Sequence, residues 1–97
     1  MRTLQEIERI LKEHIDEIRK EFKVKELSIF GSFARGEAGK CSDVDILVDF
    51  YEVPDFLEFL RLEIYLEEII GVKVDLVRKD AIREEIKDEV LKEAVPV

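Results

Sequence analysis

Long amphipathic segments alternate with short apolar runs along this 97-residue chain. In the first, Thr3 to Phe22, apolar side chains recur every three or four positions, which predicts a helix. Thr3 and Glu6 have the spacing of an N-terminal capping box. A short strand is predicted over Lys25–Phe30, and Gly31 ends it. This alternation indicates an α/β layer, in which helices pack on one small sheet.

The connection between the first two predicted strands is short. The second strand, Val44–Phe50 (VDILVDF), is the clearest in the chain, because apolar and acidic side chains alternate along most of it. The connection holds a predicted helical turn, Ser32–Gly36, and a predicted loop, Glu37–Ser42, which leaves no room for a long crossover helix. The two strands are therefore expected to be antiparallel neighbours in a mixed sheet.

The second half of the chain continues the alternation. A second long helix is predicted over Asp55–Ile70, after Pro54 and before Gly71, the residue type that commonly follows a helix. A third strand is predicted over Val72–Val77, and Asp80 is expected to cap a final helix. The apolar positions of that helix, at four-residue spacing, are Ile82, Ile86, Val90 and Ala94. Pro96 is expected to end the structured chain without a further strand.

The Asp55–Ile70 helix carries apolar side chains around most of its circumference. One face is expected to pack on the sheet, which leaves side chains such as Leu62 and Tyr65 in excess. Two interpretations stay open. The excess is either ordinary exposed apolar surface, or an interface with a partner or a second copy of the chain.

Composition limits the class of protein. Ninety-seven residues support one modest core, so residues 1–97 are expected to form a single domain. The formal net charge of −8 argues against sequence-independent nucleic-acid binding, which depends on Lys and Arg. An acidic protein that handles phosphates generally needs cations to bridge the repulsion.

The lone cysteine and the apolar content bear on location. Cys41 has no second cysteine to pair with, which fits a reducing cytoplasm. The N-terminal segment is charged throughout and lacks an apolar signal core, and no apolar run approaches the ~20 residues that span a membrane. A cytoplasmic protein without membrane contact is therefore expected.

The segment Gly31–Asp45 (GSFARGEAGKCSDVD) superficially suggests a P-loop, which has the pattern G-x-x-x-x-G-K-[ST] before a helix. Alignment on Gly39 and Lys40 places Ala34 where the first glycine belongs and Cys41 where the magnesium-binding hydroxyl belongs. A strand follows instead of a helix. These three departures exclude a P-loop, and the absence of G-x-G-x-x-G leaves a dinucleotide-binding fold without support.

The acidic residues of the predicted strands suggest a metal site. Asp43 and Asp45 lie one residue apart, so their side chains leave the same face with Cα atoms ~6.6 Å apart. Two such carboxylates can converge on one or two divalent cations, and Mg²⁺ prefers oxygen ligands of this kind. Asp75 lies on the strand face opposite Val74 and Leu76, and it completes a carboxylate triad if the third strand lies beside the second.

Candidate phosphate ligands precede the acids. Gly31 permits a tight turn, and Ser32 then starts a helical turn whose hydroxyl and backbone N–H groups can hold phosphate oxygens. Two roles stay open for each of two further residues. Ser42 either donates to a phosphate or caps the turn, and Arg35 either binds a phosphate or pairs with a surface acid.

Together these residues resemble a known signature. Gly31-Ser32, ten intervening residues and Asp43-x-Asp45 are similar to the G-S-x10-D-x-D signature of the polymerase-β nucleotidyltransferase superfamily. The text GSFARGEAGKCSDVDILV resembles its minimal members, the minimal nucleotidyltransferase (MNT) domains, and Asp75 in VDLV matches their third acid. The resemblance covers nearly the whole chain and implies the polymerase-β-type fold.

The resemblance also implies a chemistry. Asp43 and Asp45 would bind two Mg²⁺ ions, and Asp75 would bind one of them and help to activate the attacking hydroxyl. The ions would stabilise the attacking and leaving oxygens at the α-phosphorus of a nucleoside triphosphate, most simply ATP. Minimal members are often encoded beside a HEPN-domain toxin and act as its antitoxin, and some resemble enzymes that adenylylate a tyrosine of that partner.

The expected function is therefore Mg²⁺-dependent transfer of a nucleoside monophosphate, AMP from ATP, to a tyrosine of a partner HEPN toxin. Two alternatives stay open. The chain is either a binding module that neutralises its partner by contact alone, or a transferase that modifies a small molecule such as an aminoglycoside. A homo-oligomer is compatible with each of these readings.

Overall fold

The computed structural model describes residues 3–36 and 43–97. Within them, helices and strands alternate as the sequence predicts. The helices are α1 (Leu4–Phe22), α2 (Gly31–Arg35), α3 (Phe56–Ile70) and α4 (Glu84–Glu93), with a 3-10 turn at Lys79–Ala81. The strands are β1 (Val24–Phe30), β2 (Val44–Phe50), β3 (Val74–Arg78) and β4 (Val95–Pro96).

The sheet is mixed, with strand order β3-β2-β1-β4. β1 pairs antiparallel with both β2 and β4, whereas β2 and β3 are parallel. The predicted mixed sheet and the antiparallel pairing of the first two strands are thus confirmed. The predicted loop Glu37–Ser42 in the connection between them lies outside the described residues.

Capping residues define the ends of the long helices. The Thr3 hydroxyl accepts a hydrogen bond from the Glu6 N–H at 3.2 Å, as the capping box predicts. Asp55 caps α3 by accepting from the Glu58 N–H at 2.8 Å. Gly71 ends α3 in the left-handed conformation, with φ of 82°, which glycine adopts without a Cβ penalty.

Two predictions about the C-terminal third are wrong. Asp80 does not cap the last helix, because it lies in the 3-10 turn and pairs with Arg78 at 3.1 Å, while α4 begins at Glu84. The chain also continues past the helix into β4, where Pro96 pairs with Ser28 of β1. A proline is tolerated there because β4 is an edge strand.

The core lies between one face of the sheet and helices α1 and α3. Its fully buried side chains include Ile7, Leu11 and Ile18 of α1, Val44, Ile46 and Val48 of β2, and Leu62, Leu66 and Ile70 of α3. Burial of such side chains supplies most of the stability of a small domain. By contrast, α4 has no buried residue and contacts α2 rather than the core helices.

The prediction that Leu62 and Tyr65 are excess apolar surface on α3 is wrong. Leu62 is fully buried, and Tyr65 is half-buried against α1, with its ring centre 5.5 Å from that of Phe22. The most exposed apolar side chains lie instead at the start of α3 and just before it. They are Tyr51, Val53, Phe56 and Leu57, with 69–76 % of their surface accessible, and we call them the β2–α3 patch.

None of the helices in residues 3–36 and 43–97 is both long enough and apolar enough to cross a membrane.

Candidate functional site

The two parallel strands β2 and β3 bring two of the predicted acids together. Asp45 and Asp75 are direct register partners. Both side chains point away from the core, because their neighbours on each strand, Ile46 and Val74 among them, fill it. Asp43 immediately precedes β2. The predicted position of the third strand beside the second is therefore confirmed.

Gly31 provides the space that Asp45 occupies. Its φ of +72° lies in the left-handed region, which side chains other than glycine rarely adopt. A Cβ atom at this position would overlap the Oδ2 atom of Asp45 and would lie 2.9 Å from its Cγ. The carboxylate of Asp45 therefore packs directly on the backbone where β1 meets α2.

The acids affect one another electrostatically. Burial raises the pKa of Asp45 above its ordinary value, and the negative charges of Asp75 and then Asp43 raise it further. The positive charge of Arg35 opposes this rise, and a hydrogen bond with Asp75 adds to it. Asp75 and Asp43 are therefore close enough to Asp45 to disfavour its ionised form.

A divalent cation fits the chemistry of this cluster. Carboxylate oxygens are the ligands that Mg²⁺ prefers, and a cation would offset the mutual repulsion that raises the pKa of Asp45. Among residues 3–36 and 43–97, however, no three acidic, histidine or cysteine side chains already surround one point as metal ligands do. The acids would have to rotate to coordinate an ion, and metal binding by them stays a prediction.

A groove adjoins the acids on the outward face of the sheet. It has a volume of about 350 Å³ and lies between β2, β3 and α4. Besides Asp45 and Asp75, its walls are formed by Phe30, Val77, Ala81, Ile82, Arg83, Ile86 and Val90. The sequence pattern identified the apolar positions of α4, but which surface they line depends on the sheet order, and Arg83 carried no signal.

The predicted phosphate ligands have different outcomes. Ser32 is half-buried in α2, directly after Gly31, so it lies beside the acid cluster. The guanidinium of Arg35 contacts the Glu93 carboxylate at 3.1 Å, which is the surface-acid alternative, and a phosphate role for it stays a prediction. Ser42 lies outside the described residues.

Comparison with known proteins assigns the class. Residues 11–97 match the family model of the nucleotidyltransferase domain, so the chain belongs to that family and is a nucleotidyltransferase. It is 53 % identical over 97 residues to the protein adenylyltransferase MntA of Thermococcus cleftensis, with 100 % of this chain and 98 % of the relative covered. The predicted resemblance is thereby confirmed.

Solved structures agree on the fold. A structure described as a minimal nucleotidyltransferase superposes with a TM-score of 0.82 and 34 % identity, covering 99 % of this chain and 97 % of the other. A toxin–antitoxin structure with AMP-PNP matches with a TM-score of 0.72 and 22 % identity, and the match covers 88 % of this chain and 70 % of the other. A complex of a tri-AMPylated Shewanella oneidensis HEPN toxin with an MNT antitoxin matches with a TM-score of 0.65 and 19 % identity. The match covers 91 % of this chain and 69 % of the other. The last two matches, at low identity, support the fold alone.

Proposed function

We propose that the protein transfers AMP from ATP to a hydroxyl group of a partner protein in a Mg²⁺-dependent reaction in the cytoplasm. The observation that carries this proposal is the juxtaposition of Asp45 and Asp75 on adjacent parallel strands, beside Gly31 and at the edge of a groove. The pKa of Asp45 is raised by burial and by neighbouring acids, and a carboxylate in such surroundings is suited to a positively charged ligand.

Each residue has a role in this proposal. Asp43, Asp45 and Asp75 would hold Mg²⁺, which when bound would stabilise negative charge on the attacking and leaving oxygens. Ser32 would donate to a phosphate oxygen. Asp75, the exposed member of the register pair, would help to remove the proton of the attacking hydroxyl. A bond forms from the acceptor oxygen to the α-phosphorus as pyrophosphate leaves.

We propose a HEPN-domain toxin as the acceptor, with a tyrosine as the modified residue. The relative from Thermococcus cleftensis is a protein adenylyltransferase, and the Shewanella oneidensis complex joins an MNT antitoxin to a tri-AMPylated HEPN toxin. The β2–α3 patch supports a protein partner, because exposed apolar side chains that cluster in this way commonly mark interfaces.

A second candidate function is neutralisation of the partner by contact alone. The position of the β2–α3 patch is the observation that favours this second function. Tyr51 follows the C-terminal end of β2, whereas Asp45 lies near its N-terminal end, roughly 20 Å away along the strand. A partner bound at the patch would therefore contact the protein far from the acids, and binding and transfer would be separable.

The test is a transfer assay with α-labelled ATP, Mg²⁺ and a HEPN-domain toxin as the acceptor. We expect label on that protein with the wild type, and a loss of at least about 100-fold in Asp43→Asn and Asp75→Asn. Calorimetry with ATP accompanies the assay. ATP binding with full neutralisation of the toxin but no label would favour the contact-only function.

A further inference from the structure

The groove beside Asp45 and Asp75 has two chemically distinct parts. One is formed by these two carboxylates, and the other by apolar side chains from opposite walls, Phe30 and Val77 on the sheet and Ile86 on α4. Its volume of about 350 Å³ lies within the range of small-molecule sites. A nucleotide matches this division, because it joins a flat base with apolar faces to a charged phosphate chain.

Arg83 adds a positive charge to this groove. It is the cation among the groove-lining residues and immediately precedes α4. In the described parts of the chain, its guanidinium makes no ion pair or side-chain hydrogen bond. Arg78 and Arg35, in contrast, are each paired with a carboxylate at 3.1 Å. An uncommitted guanidinium can bind phosphate oxygens through two parallel hydrogen bonds.

The helical wall of the groove is incompletely covered. Ile86 has 47 % of its surface exposed, and α4 as a whole buries no residue. A base placed between Ile86 and Phe30 would remove apolar surface from water on both of its faces, which is favourable in proportion to the area covered. The same placement would direct the phosphate chain toward the charged part of the groove.

We infer that Arg83 is a substrate-binding residue that holds the phosphates of the nucleotide, while the apolar residues of α4 form one wall of the base site. This inference rests on the proposed function and specifies how the substrate is bound. The acids act on the phosphates through a cation, and Arg83 acts on them directly. The two kinds of contact are thus supplied by different layers of the fold.

Calorimetry with a non-hydrolysable ATP analogue in the presence of Mg²⁺ tests this inference without an acceptor. Arg83→Ala should weaken binding of the analogue about tenfold, the effect of losing one charge-assisted contact. Arg83→Lys should lose less, because it keeps the charge but not the paired geometry. Arg61→Ala, which removes an equally exposed arginine on α3, is the matched control and should change binding less than about twofold.

Direct titration with adenosine separates phosphate binding from a structural role. Arg83→Ala should leave the dissociation constant of adenosine unchanged because adenosine has no phosphates, whereas Ile86→Ala should weaken binding of adenosine and of the ATP analogue alike. The inference is overturned if Arg83→Ala binds the analogue as tightly as the wild type, or loses adenosine and the analogue equally. If the wild type binds no ATP analogue at all, the proposed function fails and the inference fails with it.

Discussion

The two ends of β2 each carry an aspartate on the outward face of the sheet, in contrasting surroundings. Asp45 lies against Gly31, is paired in register with Asp75 and has its pKa raised by burial and by neighbouring acids. Asp49, four residues later, lies in a second groove of about 350 Å³ that also holds Arg19 and Lys79. Both aspartates are half-buried.

The two ends differ in charge rather than in the shape of the surface, which separates the candidate site from the rest of the same strand. The volumes of the two grooves are the same, and each contains two acids. At Asp49 the second acid, Glu26, is an ion-pair partner of Lys79 at 3.8 Å. At Asp45 the second acid is Asp75. The nearby Arg35 acts on Asp45 through its charge but forms its ion pair with Glu93. The direct pairing of two carboxylates, more than shape, distinguishes the Asp45 end.

The largest effect on stability is expected from Gly31→Ala. The substitution combines an unfavourable φ with overlap between the new Cβ and Asp45, so we expect about 3 kcal/mol of destabilisation and loss of transfer. Gly36→Ala is the matched control, because Gly36 has nearly the same φ of +73° and no atom of residues 3–36 and 43–97 lies within 4 Å of the added Cβ. It should cost about 1 kcal/mol. Equal losses in the free energy of unfolding of the two variants, measured with denaturant, would contradict the packing of Asp45 on Gly31.

The next effect concerns the β2–α3 patch, near the Asp49 end of the strand. Replacing Phe56 and Leu57 by serine should weaken binding of the partner at least about tenfold, because both side chains are exposed in the free protein and would be buried in the complex. The free energy of unfolding should change little. The measurement is calorimetric titration with the HEPN protein. Unchanged affinity would place the partner elsewhere, for example at the Asp45 end.

A smaller effect is expected for the pH dependence of stability without Mg²⁺. The pKa of Asp45 in the folded state is raised above the ordinary 3.8, so the folded protein binds more protons between these two values and its stability falls as pH rises through that interval. Asp45→Asn lacks this penalty. Its melting temperature should therefore exceed that of the wild type above the interval and converge with it at lower pH.

Thermal unfolding at several pH values compares Asp45→Asn with the wild type, and added Mg²⁺ should reduce the difference because bound ligand stabilises the folded wild type. A melting temperature of Asp45→Asn below that of the wild type at neutral pH, in the absence of Mg²⁺, would contradict the raised pKa of Asp45.

The smallest effect is expected for Glu93→Gln, which removes the partner of Arg35. The pair is partly exposed, with 43 % and 38 % of the two side chains accessible, so its loss should cost no more than about 0.5 kcal/mol. Denaturant unfolding of the variant and of the wild type measures this difference in the free energy of unfolding. A loss above about 1 kcal/mol would mean that α4 depends on this contact far more than its exposure suggests.

The accuracy of the sequence-based predictions follows the range of the interactions behind them. β2 was predicted to the residue, and Thr3, Asp55 and Gly71 were correctly assigned to helix ends, because alternation and capping are local. Asp80 was misassigned because its ion pair with Arg78 competes with a capping role. Such competition cannot be read from spacing.

Predictions that depend on long-range contacts were less accurate. β4 has only two residues and exists because β1 offers it a free edge. The periodicity of α3 predicts Leu62 and Tyr65 as excess apolar surface, because it carries no information about the packing of α3 against α1. For the candidate site, spacing predicted the acids and Gly31 as members, whereas the proposed contribution of Arg83 and the apolar wall of α4 depends on how α4 lies over the sheet.

The most direct test of the central claim compares Asp45→Asn and Asp49→Asn in the transfer assay with α-labelled ATP, Mg²⁺ and the HEPN protein. Both substitutions remove one negative charge from the same face of the same strand. We expect Asp45→Asn to lose transfer by at least about 100-fold and Asp49→Asn to remain within about threefold of the wild type. Full activity of Asp45→Asn, or equal losses in the two variants, would contradict the assignment of the Asp45 end as the site of nucleotidyl transfer.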